Sequence, residues 1–209
     1  MAQMLDATER PLQAQQIHPH TDSTQEPENM LLKAVHQSPT MKQFRLSNNS
    51  RPVQTSRRLL KIPPQRISNQ MTLSSLSGPQ RIACEPYIEY CDEFGTLVAA
   101  YYLGPKLAGH AGRIHGGLLM TLFDECMGRA CFPRLAGKTA VTAKIDVSFR
   151  KPVLVESVVL VKAWTENIEG RKAWVKAEIL QFDDESRPCA EASALFIEPR
   201  NAAEMDILI

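Results

Sequence analysis

The alternation of apolar and polar positions divides the 209-residue chain into two textures. From about Ile82 onward, dense runs of β-branched and aromatic residues are punctuated by turn formers. Leu97–Leu103 (LVAAYYL) predicts a first strand, ended by Gly104-Pro105. Gly117–Phe132 (GLLMTLFDECMGRACF) predicts a single helix, stopped by Pro133, because the residue before a proline is pushed out of the helical region. Four strands follow. Val141–Phe149 alternates, with Val141, Ala143, Ile145, Val147 and Phe149 on one face. Ser157–Thr165 is joined to Lys172–Phe182 through Asn167–Gly170, a glycine-containing hairpin turn. After a turn at Asp183–Ser186, Cys189–Ile197 closes the set. A helix this apolar must be covered on most sides, and successive antiparallel strands can cover it by curling around it. The expected class is therefore α+β: one long central helix wrapped by an antiparallel sheet of five to six strands, built from residues 82–200.

The other texture, Met1 to Gly78, is rich in Gln, Ser, Pro and Asn and lacks sustained periodicity. Such a segment buries too little apolar surface to offset chain entropy, so residues 1–78 are expected to form a disordered extension. Its charge is uneven. Residues 1–28 hold five acids against one base, whereas Asn29–Cys84 holds nine bases and no acid. An acid-free stretch with Arg and Ser resembles a mitochondrial transit peptide, although an acidic leader precedes it; initiation at Met30 or Met41 would restore the pattern. A solvated basic arm accounts for the same charges. Mitochondrion and cytoplasm both stay open.

Bulk composition narrows the function. Net charge is +1 and charged residues make up 22%, which points away from nucleic-acid binding. No apolar run nears the roughly 18–20 residues of a membrane span, and no secretory leader is visible, so an intracellular soluble protein is expected. Five cysteines (Cys84, Cys91, Cys126, Cys131, Cys189) are scattered, with no CxxC pair, and the histidines do not cluster with them. Neither a disulfide framework nor a metal site is expected, and no cofactor is called for.

Chemistry concentrates in Gly109–Asp124, GHAGRIHGGLLMTLFD. The first turn of a helix leaves backbone N–H groups without internal partners, and the axis dipole adds partial positive charge there. Gly116 and Gly117, having no side chains, let a carbonyl oxygen approach those donors as in an oxyanion hole. Gly-Gly also serves as a plain flexible entry to a helix. Asp124 sits among apolar neighbours, where a charge is costly unless paired or used. It lies seven residues beyond Gly117, about 10 Å along the axis, too far for both to serve one reacting carbonyl within a single chain. A symmetric dimer with antiparallel helices would bring the carboxylate of one chain to the helix start of the other. Glu125, turned about 100° away, reads as a surface or interface acid.

HAGRIHGGLLMTLFDECMG followed by TAVTAKIDVSFRKPV resembles the hotdog-fold acyl-CoA thioesterases, in particular the PaaI-type branch with its mitochondrial and fungal members. The resemblance covers roughly residues 87–199 and includes a His-Gly-Gly with an Asp nine positions after the His, here His115 and Asp124. It implies a hotdog fold and hydrolysis of acyl-CoA to the free acid and coenzyme A in a homodimer or dimer of dimers with shared sites. Residue by residue it implies Asp124 as general base or nucleophile, and Gly116 or Gly117 as oxyanion donor. His115 would shape the turn and Thr142 would position water. Strand parity sets Thr142 opposite Val141 and Ala143, so it must face a partner subunit or sit at a bulge. Arg113, Arg150 and Lys151 are candidates for the phosphates of coenzyme A. Trp164 and Trp174 read as core or interface aromatics. A carrier-protein thioester as substrate, and an acyl-binding module without turnover, are the alternatives. Hydration of an enoyl thioester is disfavoured, since no second His follows in the domain.

Overall fold

A computed structural model describes residues 25–48 and 53–209 of the chain. Its centre is helix α3 (Gly116–Cys131), within one residue of the expected bounds. Leu119, Leu122, Phe123, Cys126 and Met127 recur at the three- and four-residue spacing of one helical face, and all are almost fully buried. Each contributes roughly 1.5–3 kcal/mol of burial. They pack on the inner face of a seven-stranded antiparallel sheet whose spatial order is β1-β2-β3-β7-β8-β9-β6. The strands are β1 (Gln54–Ser56), β2 (Tyr87–Cys91), β3 (Thr96–Leu103), β6 (Val141–Phe149), β7 (Ser157–Glu169), β8 (Lys172–Gln181) and β9 (Ala190–Ile197). A short hairpin, β4 (Ala108–His110) with β5 (Arg113–Ile114), leads into α3. The α+β order and the wrapped helix are as the sequence predicts.

Strands β1 and β2, outside the sequence expectation, raise the count in the main sheet to seven among the described residues. The β7–β8 hairpin also runs longer than expected. Pairing continues to Glu169 opposite Lys172, past an irregularity between Thr165 and Asn167, and the turn itself is Gly170-Arg171. Gly170 adopts φ +57°, the left-handed region that glycine enters without steric cost.

The expectation that residues 1–78 are disordered fails over much of the described stretch; residues 1–24 and 49–52 lie outside the description. Helices α1 (Gln25–Gln37) and α2 (Pro39–Ser47) pack on the outer face of β3 and β7. Leu31, Ala34 and Val35 of α1 meet Val98, Ala100 and Tyr102 of β3 and Val158 and Leu160 of β7. Strand β3 is thus buried on both faces, since Leu97, Ala99, Tyr101 and Leu103 point to α3. Polar locks hold the layer. Ser38 caps α2 by accepting from Met41 N–H at 3.1 Å, and Glu185 accepts from Ser38 Oγ and Thr40 N, both at 2.9 Å. Arg45 of α2 grips the buried Glu89 through Nε and Nη2, the shortest contact being 2.6 Å, and donates to the Val35 carbonyl at 3.1 Å. These local anchors outweigh the weak periodicity that suggested disorder.

Glu89 is 2% exposed, so its charge depends on Arg45. Arg45→Ala strands a carboxylate that water reaches only from the half-open arginine side. The expected cost is about 2 kcal/mol, below that of a fully buried pair. Urea unfolding should show it as a lower midpoint. An unchanged midpoint would mean that the Arg45–Glu89 pair adds nothing to the fold.

Candidate active site

The start of α3 is built by His115, whose backbone (φ −64°, ψ 128°) stands just outside the helix as its N-cap. Its Nδ1 accepts from Gly117 N–H at 2.9 Å. The two glycines are thereby distinguished. Gly117 N–H is satisfied by the imidazole, whereas Gly116 N–H has no hydrogen-bond partner among the described residues. The Phe149 ring stands over Gly116 so closely that an added Cβ would sit 3.3 Å from it. Gly109, not singled out from the sequence, lies against the imidazole, and a Cβ there would come within 2.6 Å of the ring. A glycine at 109 is therefore a condition for the His115 rotamer. The only sequence signal for it was its place at the head of the GHAGRIHGG run.

Asp124 stands two turns along α3, partly buried, and its Oδ1 accepts from Thr142 Oγ1 at 2.5 Å. This contact is possible because β6 carries an irregularity. Thr142 pairs with Phe196 and Lys144 with Leu195, so Ala143 is the extra residue that turns Thr142 toward the helix. The unbroken alternation expected for β6 holds only for Ile145 and Val147, which reach the core. Val141 and Phe149 are 50% and 53% exposed. Strand β6 is an edge of the sheet, and one flank of its nine-residue backbone is unpaired among the described residues.

Glu125 is not the surface acid that the sequence suggested. Residues 59–86 fold over that side of α3, and Thr72 Oγ1 donates to Glu125 Oε1 at 2.9 Å. Burial, with a smaller contribution from neighbouring Asp124, raises its carboxyl to about 7, against the lowering effect of Thr72. Beneath it, burial pushes the Tyr101 hydroxyl and the Cys126 thiol well up, so neither ionises near neutrality. All five cysteines are free thiols.

The three candidate cations separate in the same way. Arg150 pairs with Glu191 and Lys151 with Asp184, each at 2.7 Å. Lys151 and Ser186 hold the Asp184 carboxyl down at about 2. Arg113, exposed on β5 two residues before His115, makes no ion pair among the described residues. Lys106, given no role by the sequence, flanks an apolar groove that His115 and Gly117 share with Met71, Leu107 and Thr121. Trp164 and Trp174 are half-buried on the outer sheet face, far from this groove in the strand order, and Lys162 lies over the Trp164 ring. Among the described residues no group of His, Cys, Asp and Glu is placed to hold a metal ion.

The thioesterase superfamily profile matches residues 111–187, the span holding His115, the glycines, Asp124 and Thr142. An uncharacterized Schizosaccharomyces pombe protein is 34% identical over 135 residues, 63% of this chain and 76% of the relative. The chain belongs to the thioesterase superfamily. Among other superfamily relatives, an uncharacterized mitochondrial protein of Candida albicans is 30% identical over 142 residues, 66% of this chain and 64% of that protein. The mouse acyl-coenzyme A thioesterase THEM4 is 36% identical over 101 residues, 48% of this chain and 42% of the relative. The chain thus spans less than two thirds of several curated relatives. Among solved structures, the PaaI protein of the Escherichia coli phenylacetic acid degradation operon is 18% identical, with TM-score 0.45 over 50% of this chain and 76% of that one. No helix among the described residues is long and apolar enough to cross a membrane.

Proposed function

We propose that this protein hydrolyses acyl-CoA thioesters to the free acid and coenzyme A, in sites shared between two copies of the chain. The observation that carries the reading is the bond between Asp124 of α3 and Thr142 of the edge strand β6, with a Gly116 N–H at the start of α3 that has no partner among the described residues. Eight residues apart on a straight rise of 1.5 Å each, about 12 Å, Asp124 and the Gly116 N–H cannot meet at one carbonyl carbon. Pairing two β6 edges about a dyad lays two α3 helices antiparallel and brings each Asp124 toward the partner's helix start. There Gly116 N–H, strengthened by the helix dipole, holds the oxygen that becomes negative as the thioester carbon turns tetrahedral. His115 keeps the turn shaped by engaging Gly117. Asp124, oriented by Thr142, either takes the proton from an attacking water or attacks the carbonyl itself to give an anhydride that water then opens. The thiolate of coenzyme A leaves in both cases. Arg113, unpaired and beside the helix start, is the first of the three cations to meet a phosphate, while Arg150 and Lys151 would first have to release their partners. The names of the mouse THEM4 and Candida relatives support the acyl-CoA substrate and a mitochondrial location respectively.

Charges on a strand edge block edge-to-edge pairing. The double variant Val141→Asp, Phe149→Asp is therefore expected to sediment as a monomer at micromolar concentration and to lose acyl-CoA hydrolysis. A variant that stays dimeric, or a fully active monomer, would end the shared-site reading.

A further inference from the structure

The apolar groove at His115 and Gly117 and a second cavity beside Glu125 lie on either side of residues 70–76 and share no lining residue. Gly117, Thr121 and Glu125 follow one another at four-residue spacing, so a single helix face runs from the groove to the buried carboxyl. The turn made by residues 70–76 covers this face. Backbone bonds from Leu73 and Ser74 to the Gln70 carbonyl, and from Leu76 to the Met71 carbonyl, make it compact. Met71 and Leu76 line the groove on one side of the turn. On the other side Thr72 and Leu73 roof a cavity whose walls include Leu59, Ile62, Ile82 and Tyr101 and whose polar end is Glu125. The turn is tied to α3 through Thr72–Glu125.

We propose that this cavity is the far end of the acyl-tail site, and that it selects a straight alkyl chain. The proposal rests on the hydrolase reading above and adds to it the shape and length of the acyl group. Nine residues from Gly116 to Glu125 span about 13 Å, which an extended chain of roughly ten carbons covers at about 1.25 Å per bond. The room at the end is narrow, about 50 Å³. That admits the terminal methylenes of an alkyl chain and turns away a phenyl ring. Its lining is mostly apolar, with Arg58, Gln70, Thr72 and Glu125 as the polar members. Leu73 and Thr72 lie outside residues 111–187, so this end of the site belongs to the segment preceding the part shared across the superfamily.

The test is the ratio of kcat/KM for decanoyl-CoA to that for butyryl-CoA, with phenylacetyl-CoA alongside. Leu73→Trp fills the cavity and is expected to lower the decanoyl-to-butyryl ratio about tenfold or more, the discrimination that a few methylenes give. An unchanged ratio overturns the proposal, as does a wild type that prefers phenylacetyl-CoA. A second measurement uses the unaltered chain and needs neither turnover nor a folded variant. A decyl thioether of coenzyme A bearing a terminal diazirine is expected to label Leu73 or its neighbours, or α3 around Glu125. Labelling confined to other segments overturns the tail site. Labelling there without hydrolysis of any acyl-CoA would refute the enzyme reading and leave the tail site standing.

Discussion

Asp124→Asn is expected to lower kcat for acyl-CoA hydrolysis by about 10²–10⁴-fold, the contribution of a positioned base or nucleophile. The substitution keeps size and shape, and the amide can still accept from Thr142, so the fold should be retained by circular dichroism. It removes the carboxylate that Thr142 of β6 orients, the group proposed to take a proton or open the carbonyl. KM should change little, because the carboxylate acts on the reacting carbon and the bulk of coenzyme A is held elsewhere. Wild-type rates in the variant, read by thiol release, would remove Asp124 from the mechanism. A single turnover in ¹⁸O-water tests the nucleophilic route in the wild type. Label in the Asp124 side chain marks an anhydride opened at the aspartyl carbonyl. Thr142→Ala should show a smaller loss in kcat, since the carboxylate remains but loses its orienting hydroxyl.

Glu125 carries the second large effect, this time on stability. Its ordinary value is 4.5 and the folded chain holds it at about 7. The folded state therefore keeps the proton more tightly than the unfolded state. The stabilisation from the neutral carboxyl is complete below about 4.5, declines as pH rises and is gone above about 7. The gap corresponds to about 3 kcal/mol. Glu125→Gln stays neutral throughout, so its stability relative to the wild type should climb by about that amount between pH 4.5 and pH 8. Urea midpoints at a series of pH values measure it directly. A difference that is flat with pH would mean that Glu125 is hydrated in solution. Because Asp124 adds to the upward push, Asp124→Asn should move the wild-type transition to lower pH.

The architecture was legible because its elements obey simple periods. Helix α3 and strands β6 to β9 announce themselves by spacing, and His115, Gly116, Gly117 and Asp124 by the unusual placement of small and acidic residues on an apolar helix. What escaped was tertiary. Ala143 bulges because Thr142 has a carboxylate to reach, which no alternation pattern contains. Glu125 was read as a surface or interface acid by correct helical geometry, without the segment of its own chain that covers it. Residues 59–76 carry Leu59, Ile62, Leu73 and Leu76 among Ser, Pro and Gln without any period, so their burial depends on a surface supplied by α3. One clue was present. LVAAYYL and VVLV run without a charged or strongly polar residue on either face, and a strand buried on both faces requires a second layer. With α3 on one side, only the amino-terminal residues were left to provide the other.

That second layer has a consequence for how the chain is made. Helix α1 rests on β3 and β7, and Ser38 is bonded to Glu185, 147 residues further on. Synthesis proceeds from the amino terminus, so Leu31, Val35 and Met41 emerge early and find their surface only when nearly the whole domain has left the ribosome. Closing so long a loop is slow, because its entropy must be lost before the contacts return anything. For most of that interval the amino-terminal helices present bare apolar side chains to whatever chaperones attend the nascent chain. Docking of α1 and α2 has to wait for β7.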